Sequence, residues 1–155
     1  RGVRGCGELN PGTTNVIDYI TISTTGNAKD FGDHPRTGDN GWGASNGSRG
    51  ISAGFQPPYS NIIEYLTIAT TGNTIDFGDM TQVRSLMGGT SDGSRGVGIG
   101  GYNPPANVDT IDYVNISVIG NAVDFGNVTG IRRNFNATTN GITEQLALAI
   151  IFFFL

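Results

Sequence analysis

Short apolar runs alternate with turn-forming residues along this chain, and no stretch before the C-terminal tail carries apolar residues at helical spacing. Three runs are rich in β-branched and aromatic residues: Val16 to Thr24, Ile62 to Thr70 and Thr110 to Val118. In the first, Ile17, Tyr19 and Thr21 fall on one alternating face and Val16, Ile20 and Ile22 on the other. Both faces are largely apolar, which predicts a middle strand covered on both sides and excludes a simple solvent-facing meander. A tight turn follows each run, at Thr25-Gly26-Asn27, Thr71-Gly72-Asn73 and Ile119-Gly120-Asn121, where Gly or Asn can take positive φ. A short strand ending in Asp-Phe-Gly comes next. Later a Gly-rich strand opens at each Arg-Gly: Gly2 to Gly7, Gly50 to Phe55 and Gly96 to Tyr102. Glycine inside a strand is costly unless another backbone must approach closely, which is the reading taken for these strands.

The pattern is an internal repeat. Asp30-Phe31-Gly32 recurs as Asp76-Phe77-Gly78 and Asp124-Phe125-Gly126, and the Gly-Asn turns before them lie 46 and 48 residues apart. A period of this size means one supersecondary unit copied in series. Three units follow, at 1–48, 49–94 and 95–142, with residues 143–155 where a fourth would begin. The length change between units falls in the stretch holding Asn10-Pro11-Gly12, Pro57-Pro58 and Pro104-Pro105, as expected of surface loops. The fold class expected is all-β: tandem repeats of about 46–48 residues, each a small antiparallel sheet, part of a β-propeller-like array.

Composition narrows the function. At 155 residues the chain is long enough to bury a core, and 25 glycines with only 14% charged residues fit a turn-dense β protein. A net charge of −4 argues against a nucleic-acid partner, which needs a basic patch. Cys6 is alone, so no internal disulfide forms. No signal peptide is visible, and the chain opens mid-pattern, as if cut or processed from a longer protein. The apolar tail, Leu146 to Leu155, is half the length a membrane-spanning helix needs. It reads instead as a strand that pairs with the fold or a neighbouring subunit, and membrane insertion is not expected.

The Arg-Gly strand, best preserved in Gly98-Ile99-Gly100-Gly101-Tyr102, resembles the diglycine strand of kelch repeats. Tyr19, Tyr65 and Tyr113, followed by Phe31, Phe77 and Phe125, are similar to the kelch tyrosine–tryptophan pattern, with longer spacing and the tryptophan replaced. Strings such as Asn61-Ile62-Ile63-Glu64-Tyr65-Leu66-Thr67-Ile68 with Asp76-Phe77-Gly78-Asp79 look like the tandem repeats of large tail and appendage proteins in phages of marine bacteria. That resemblance covers residues 1 to about 142. It implies four-stranded propeller blades and a structural virion protein.

Candidate chemistry is sparse. Asp-Phe-Gly invites a kinase reading, but it occurs three times with no nucleotide loop, strand lysine or His-Arg-Asp loop. Phe31, Phe77 and Phe125 are therefore expected as core plugs, and Asp30, Asp76 and Asp124 as turn caps. Asp30 with Asp33, and Asp76 with Asp79, are the only candidate metal ligands, calcium by their oxygen chemistry, with Asn127 replacing the second acid in the third unit. Asp18, Glu64 and Asp112 share one position beside the strand tyrosines. A covered acid needs a partner, and Arg49, Arg95 and Arg84 are candidates for bridging between units. His34, the only histidine, reads as an exposed bystander in a variable loop. Trp42, the only tryptophan, sits between Gly41 and Gly43; it suits stacking on a sugar or partner as a ligand-binding residue, or packing into a neighbouring unit. Four N-x-Ser/Thr sequons start at Asn46, Asn115, Asn127 and Asn136, as an Asn/Thr-rich chain produces by chance.

Three functions follow from these observations. The leading one is a structural virion component, a tail fibre, appendage or capsid decoration, that is extracellular, needs no cofactor and is not an enzyme. Its partners are further copies, other virion proteins and a host surface glycan. The second is a lectin-like propeller, which should repeat its binding aromatics in every unit. The third is a polysaccharide-acting enzyme, which should break the repeat with one unusual polar cluster; no catalytic residue is expected.

Overall fold

The computed structural model describes residues 1–139; the end of the third unit and the expected strand at 143–155, with its contact through Ile150 to Leu155, lie outside the described residues. The described chain is all-β, with no helix, and folds into small antiparallel sheets. The first sheet contains β1 (Gly2–Glu8), β2 (Thr13–Ile20) and β3 (Lys29–Asp33). The second contains β4 (Trp42–Ser45), β5 (Arg49–Ala53), β6 (Ile62–Thr67) and β7 (Ile75–Asp79), adjacent in chain order. The third starts with β8 (Gly88–Ser91) and β9 (Arg95–Ile99). A hairpin of β10 (Tyr102–Asn103) and β11 (Ala106–Asn107) intervenes before β12 (Thr110–Asn115) and β13 (Val123–Asn127) complete it.

Strand pairing sets the sheets one strand earlier than the sequence frame. Trp42–Ser45 pairs with Arg49–Ala53, and Gly88–Ser91 with Arg95–Ile99. The unit edges drawn at 48/49 and 94/95 thus fall in hairpins inside a sheet. The pairings recur in step: Val3 faces Tyr19, Ile51 faces Tyr65, and Val97 faces Tyr113. Each middle strand also has a register shift against its last partner just before its acid, at Ile17/Asp18, Ile63/Glu64 and Ile111/Asp112. Such a bulge bends the strand and re-aims the following side chain.

The main core lies between the second and third sheets: Trp42, Ile51, Ala53, Ile63, Phe77, Met80, Met87, Val114 and Ile116. It explains the glycines of β9, since a Cβ on Gly98 would stand 3.0 Å from the Trp42 ring. Side chains, Trp42 and Ile51 from the preceding sheet and Met87 from the segment leading into β8, require the space, rather than another backbone as expected.

The expectation that the first β-branched run is covered on both faces does not hold. Ile17 is buried, but Val16, Ile20 and Ile22 are exposed, because no described sheet packs on their side. The phenylalanines divide in the same way. Phe31 and Phe77 are 2% and 1% exposed, as core plugs should be, whereas Phe125 is 54% exposed. Their immediate partners are nevertheless alike. Tyr19, Tyr65 and Tyr113 meet these rings edge to face at 5.9, 6.0 and 5.8 Å. Arg1, Arg49 and Arg95 lie over the tyrosines at 4.6, 4.5 and 4.7 Å, within cation–π range.

Candidate functional site

The polar side chains of this protein converge on the two junctions between sheets, where three kinds of contact recur. The first is a backbone latch. The Gly72 N–H donates to the Phe31 carbonyl (2.7 Å), and the Thr74 N–H to the Asp33 carbonyl (3.1 Å). In return the Asp33 N–H donates to Asn73 Oδ1 (2.9 Å). One sheet further on, the Gly120 N–H donates to Phe77 O (2.9 Å), the Ala122 N–H to Asp79 O (2.7 Å), and the Asp79 N–H to Asn121 Oδ1 (3.0 Å). The Gly-Asn turn of each sheet is thus a plug, and the Asp-Phe-Gly strand of the sheet before it is the socket. The glycine of that triplet is required by the fit: a Cβ on Gly32 would collide with the Gly72 carbonyl, and one on Gly78 with the Gly120 carbonyl.

The second contact is an arginine clasp. Arg1 Nη1 donates to the Ile68 and Ala69 carbonyls (3.1 and 2.9 Å), and Arg49 Nη1 to the Ile116 carbonyl (2.8 Å). Arg49 therefore bridges sheets through the Ile116 carbonyl while lying over Tyr65 of its own sheet, and not through the acid expected of it. Arg95 lies over Tyr113.

The third contact is a buried acid. Glu64 and Asp112 occupy one position on β6 and β12, and each is met by the loop that follows the Asp-Phe-Gly strand of the preceding sheet. Glu64 Oε2 faces His34 Nδ1 and accepts from Thr74 Oγ1 (3.0 Å), while Oε1 is paired with Arg36 through Nε and Nη2 (3.0 Å each). Asp112 Oδ1 pairs with Arg84, and Oδ2 accepts from the Thr81 N–H (3.1 Å) and hydroxyl (2.8 Å). Arg84 is completely buried and also donates to the Gly100 and Thr110 carbonyls (2.9 and 2.6 Å), leaving its Nε without a hydrogen-bond partner.

Electrostatics follow from burial. For Glu64, burial acts to raise the carboxyl pKa. The His34 hydrogen bond and charge, with Arg36 and Thr74, outweigh it and hold the group below its ordinary value. For Arg84, burial pushes the guanidinium below its ordinary range against the pull of Asp112. Burial, with the nearby Glu64 charge, lifts the Cys6 thiol to about 11, so little reactive thiolate forms at neutral pH.

His34 is therefore not an exposed bystander: it is 3% exposed and ties the first sheet to the second. It lies beside Phe55 at 5.0 Å, and a loop position gave no sign of this. Arg36, Thr74 and Thr81 were not singled out in the sequence. The signal available was their place directly after an Asp-Phe-Gly strand or a Gly-Asn turn. Of the three arginines expected as partners for the covered acids, Arg84 alone pairs with one of them, Asp112. The candidate calcium ligands Asp30 and Asp76 are exposed, and Asp33 and Asp79 are engaged through their backbones in the latch. Among the described residues no three His, Cys, Asp or Glu side chains are grouped to hold a metal.

Trp42 is buried in the core against Gly98, and its Nε1 lacks a hydrogen-bond partner. Packing, not open stacking, governs its position. Its edge also lines a groove of roughly 500 Å³ between the first two sheets, with Arg1, His34, Ser52 and Leu66. No family model matches the chain, and no curated protein matches it.

Proposed function

We propose that the chain is a non-enzymatic structural repeat protein, a β-propeller-like array that serves as a tail-fibre, appendage or capsid-decoration component of a virion. In this reading it assembles into a larger complex and touches the host surface. One observation carries the structural part: the buried ionisable groups Glu64, His34, Arg84 and Asp112 are all engaged in joining one sheet to the next. Charges held this way fix register between repeats and are not available for proton transfer at a substrate. The virion setting rests on the resemblance of the repeat to phage appendage proteins. Antibody raised against the chain and imaged on purified particles should label appendages or the capsid surface. Label confined to the cellular fraction would remove the virion reading and leave the structural one.

A lectin-like module is the second reading, favoured by the groove beside Trp42, a concave site lined mainly by glycine and aliphatic residues with Arg1, His34, Ser45 and Ser52 as its polar groups. A glycan array probed with the intact chain separates the two. Binding abolished by Ser52→Trp, which fills the groove, favours the lectin.

A further inference from the structure

The two junctions inside the chain use one set of contacts, and each outer sheet presents half of that set. On the first sheet the Gly26-Asn27 turn is exposed and holds the position of Gly72-Asn73 and Gly120-Asn121. Ile22 corresponds to Ile68 and Ile116, whose carbonyls the arginine clasp uses. Asp18 corresponds to Glu64 and Asp112; it stands opposite Arg4 in the β1–β2 pairing and lines, with Arg4, Tyr19 and Ala28, a surface hollow of roughly 320 Å³. On the third sheet Phe125 is exposed, and where a Cβ on Gly126 would stand there is nothing within 4 Å. Arg95 holds the place of Arg1 and Arg49. Arg132, 48 residues after Arg84, is exposed and holds the place of the guanidinium that pairs with Asp112.

We propose that the first sheet of one copy docks on the third sheet of a second copy by repeating the internal junction. The Gly26 and Ala28 N–H groups of one copy donate to the Phe125 and Asn127 carbonyls of the other. Asn27 Oδ1 accepts the Asn127 N–H, Arg95 reaches the Ile22 carbonyl, and Arg132 pairs with Asp18. The replacement of Asp by Asn at 127 is neutral here, because the latch uses only the backbone of that residue. The two exposed faces carry the matching halves of the internal latch, and Arg132 adds a second cation for Asp18 beside Arg4, which together favour a second copy of this chain over an unrelated occupant. The contact is head-to-tail, so it closes a ring where the rotation allows and otherwise runs on as a filament. This inference names the contact behind the assembly proposed above and rests on that reading only for its setting.

The test is charge exchange in the full chain, read as mass by light scattering across a concentration series. Wild type is expected to run at twice the single-chain mass or more. Asp18→Arg and Arg132→Asp, both at solvent-accessible positions, should each run as single chains. An equimolar mixture of the two variants should recover the assembly, since Arg132 of one then meets Asp18 of the other and the reversed pair matches as well. Asn27→Ala, which leaves both charges in place, should shift the assembly midpoint to higher concentration by about tenfold. A wild type that stays a single chain at every concentration overturns the assembly reading and this contact together. Assembly that persists in both charge variants, or a mixture that does not recover, overturns the contact and leaves the assembly reading standing.

Discussion

The two junctions within the chain place an acid at one position and neutralise it differently. At the second, Asp112 faces Arg84, a cation that cannot shed its proton and has no route to water. At the first, Glu64 faces His34 and Arg36, and the Arg36 side chain is 25% exposed. One backbone frame therefore accepts two charge networks. The repeat conserves the latch in the main chain and leaves the side-chain pairing free to vary. The second junction is the stricter of the two, because loss of either partner strands a buried ion.

The sharpest way to break the comparison is to remove the acid from each. Asp112→Ala leaves the Arg84 guanidinium buried and uncompensated, and should lower stability by about 3–5 kcal/mol in denaturant unfolding. Glu64→Ala should cost less, about 1–3 kcal/mol, because the partly exposed Arg36 can reach solvent. Equal losses would show that the two networks are energetically alike.

The aromatic plugs sharpen it next. Phe77, sealed beneath the Gly120-Asn121 turn, should cost about 3–5 kcal/mol on truncation to Ala. Phe125, in the same local frame with nothing described above it, should cost under about 1 kcal/mol in dilute protein. Similar values for both would mean that the Tyr and Arg beneath the ring, not the turn above it, supply the energy.

Acid sensitivity should divide the junctions too. The folded-state pKa of Glu64 lies below its ordinary value of 4.5, so as pH falls the unfolded chain takes up the proton first. The stabilisation from this group is complete above about 4.5 and is lost as pH falls through the lower folded-state value. Thermal melts between neutral pH and pH 3 should show a drop over that window that Glu64→Gln reduces. An unchanged drop in that variant would assign the acid response to other carboxylates.

The β class and the Arg-Gly strands were legible in the sequence because strand patterning is a local signal, whereas the turns were expected too late: the chain turns at Thr21–Thr24, Thr67–Thr70 and Asn115–Val118, before each Gly-Asn pair. That Asp112 needs a cation was legible because a covered acid demands one, though the sequence did not say which of three arginines supplies it. The fates of His34 and Phe125 were not. His34 sits in a loop whose composition looks like surface, and what buries it is Glu64 from another sheet. Phe125 carries the same triplet as Phe31 and Phe77, yet its exposure depends on whether a further turn docks above it. Both depend on a neighbour thirty or more residues away or on another molecule, and no window of the chain carries that information. Trp42 reads equally as a stacking or a packing residue for the same reason: its flanking glycines look like flexibility, while Gly98, far along the chain, provides the space that the ring fills.

The smallest effect isolates the latch. Asn73 and Asn121 each accept one backbone N–H across a junction, from Asp33 and Asp79, at exposed sites where water can take over part of the bond. Replacing either with Ala should cost about 0.5–1.5 kcal/mol. Asn27 occupies the same turn on the first sheet, where no described strand lies opposite, so Asn27→Ala should change the unfolding midpoint of dilute single chains by close to nothing. The three substitutions remove the same atoms from the same turn, so propensity and solvation cancel between them. The difference between Asn73→Ala or Asn121→Ala and Asn27→Ala is the worth of the cross-junction bond. A loss at Asn27 as large as at the other two would mean that the side chain stabilises its own turn, and that docking between sheets rests on the backbone bonds alone.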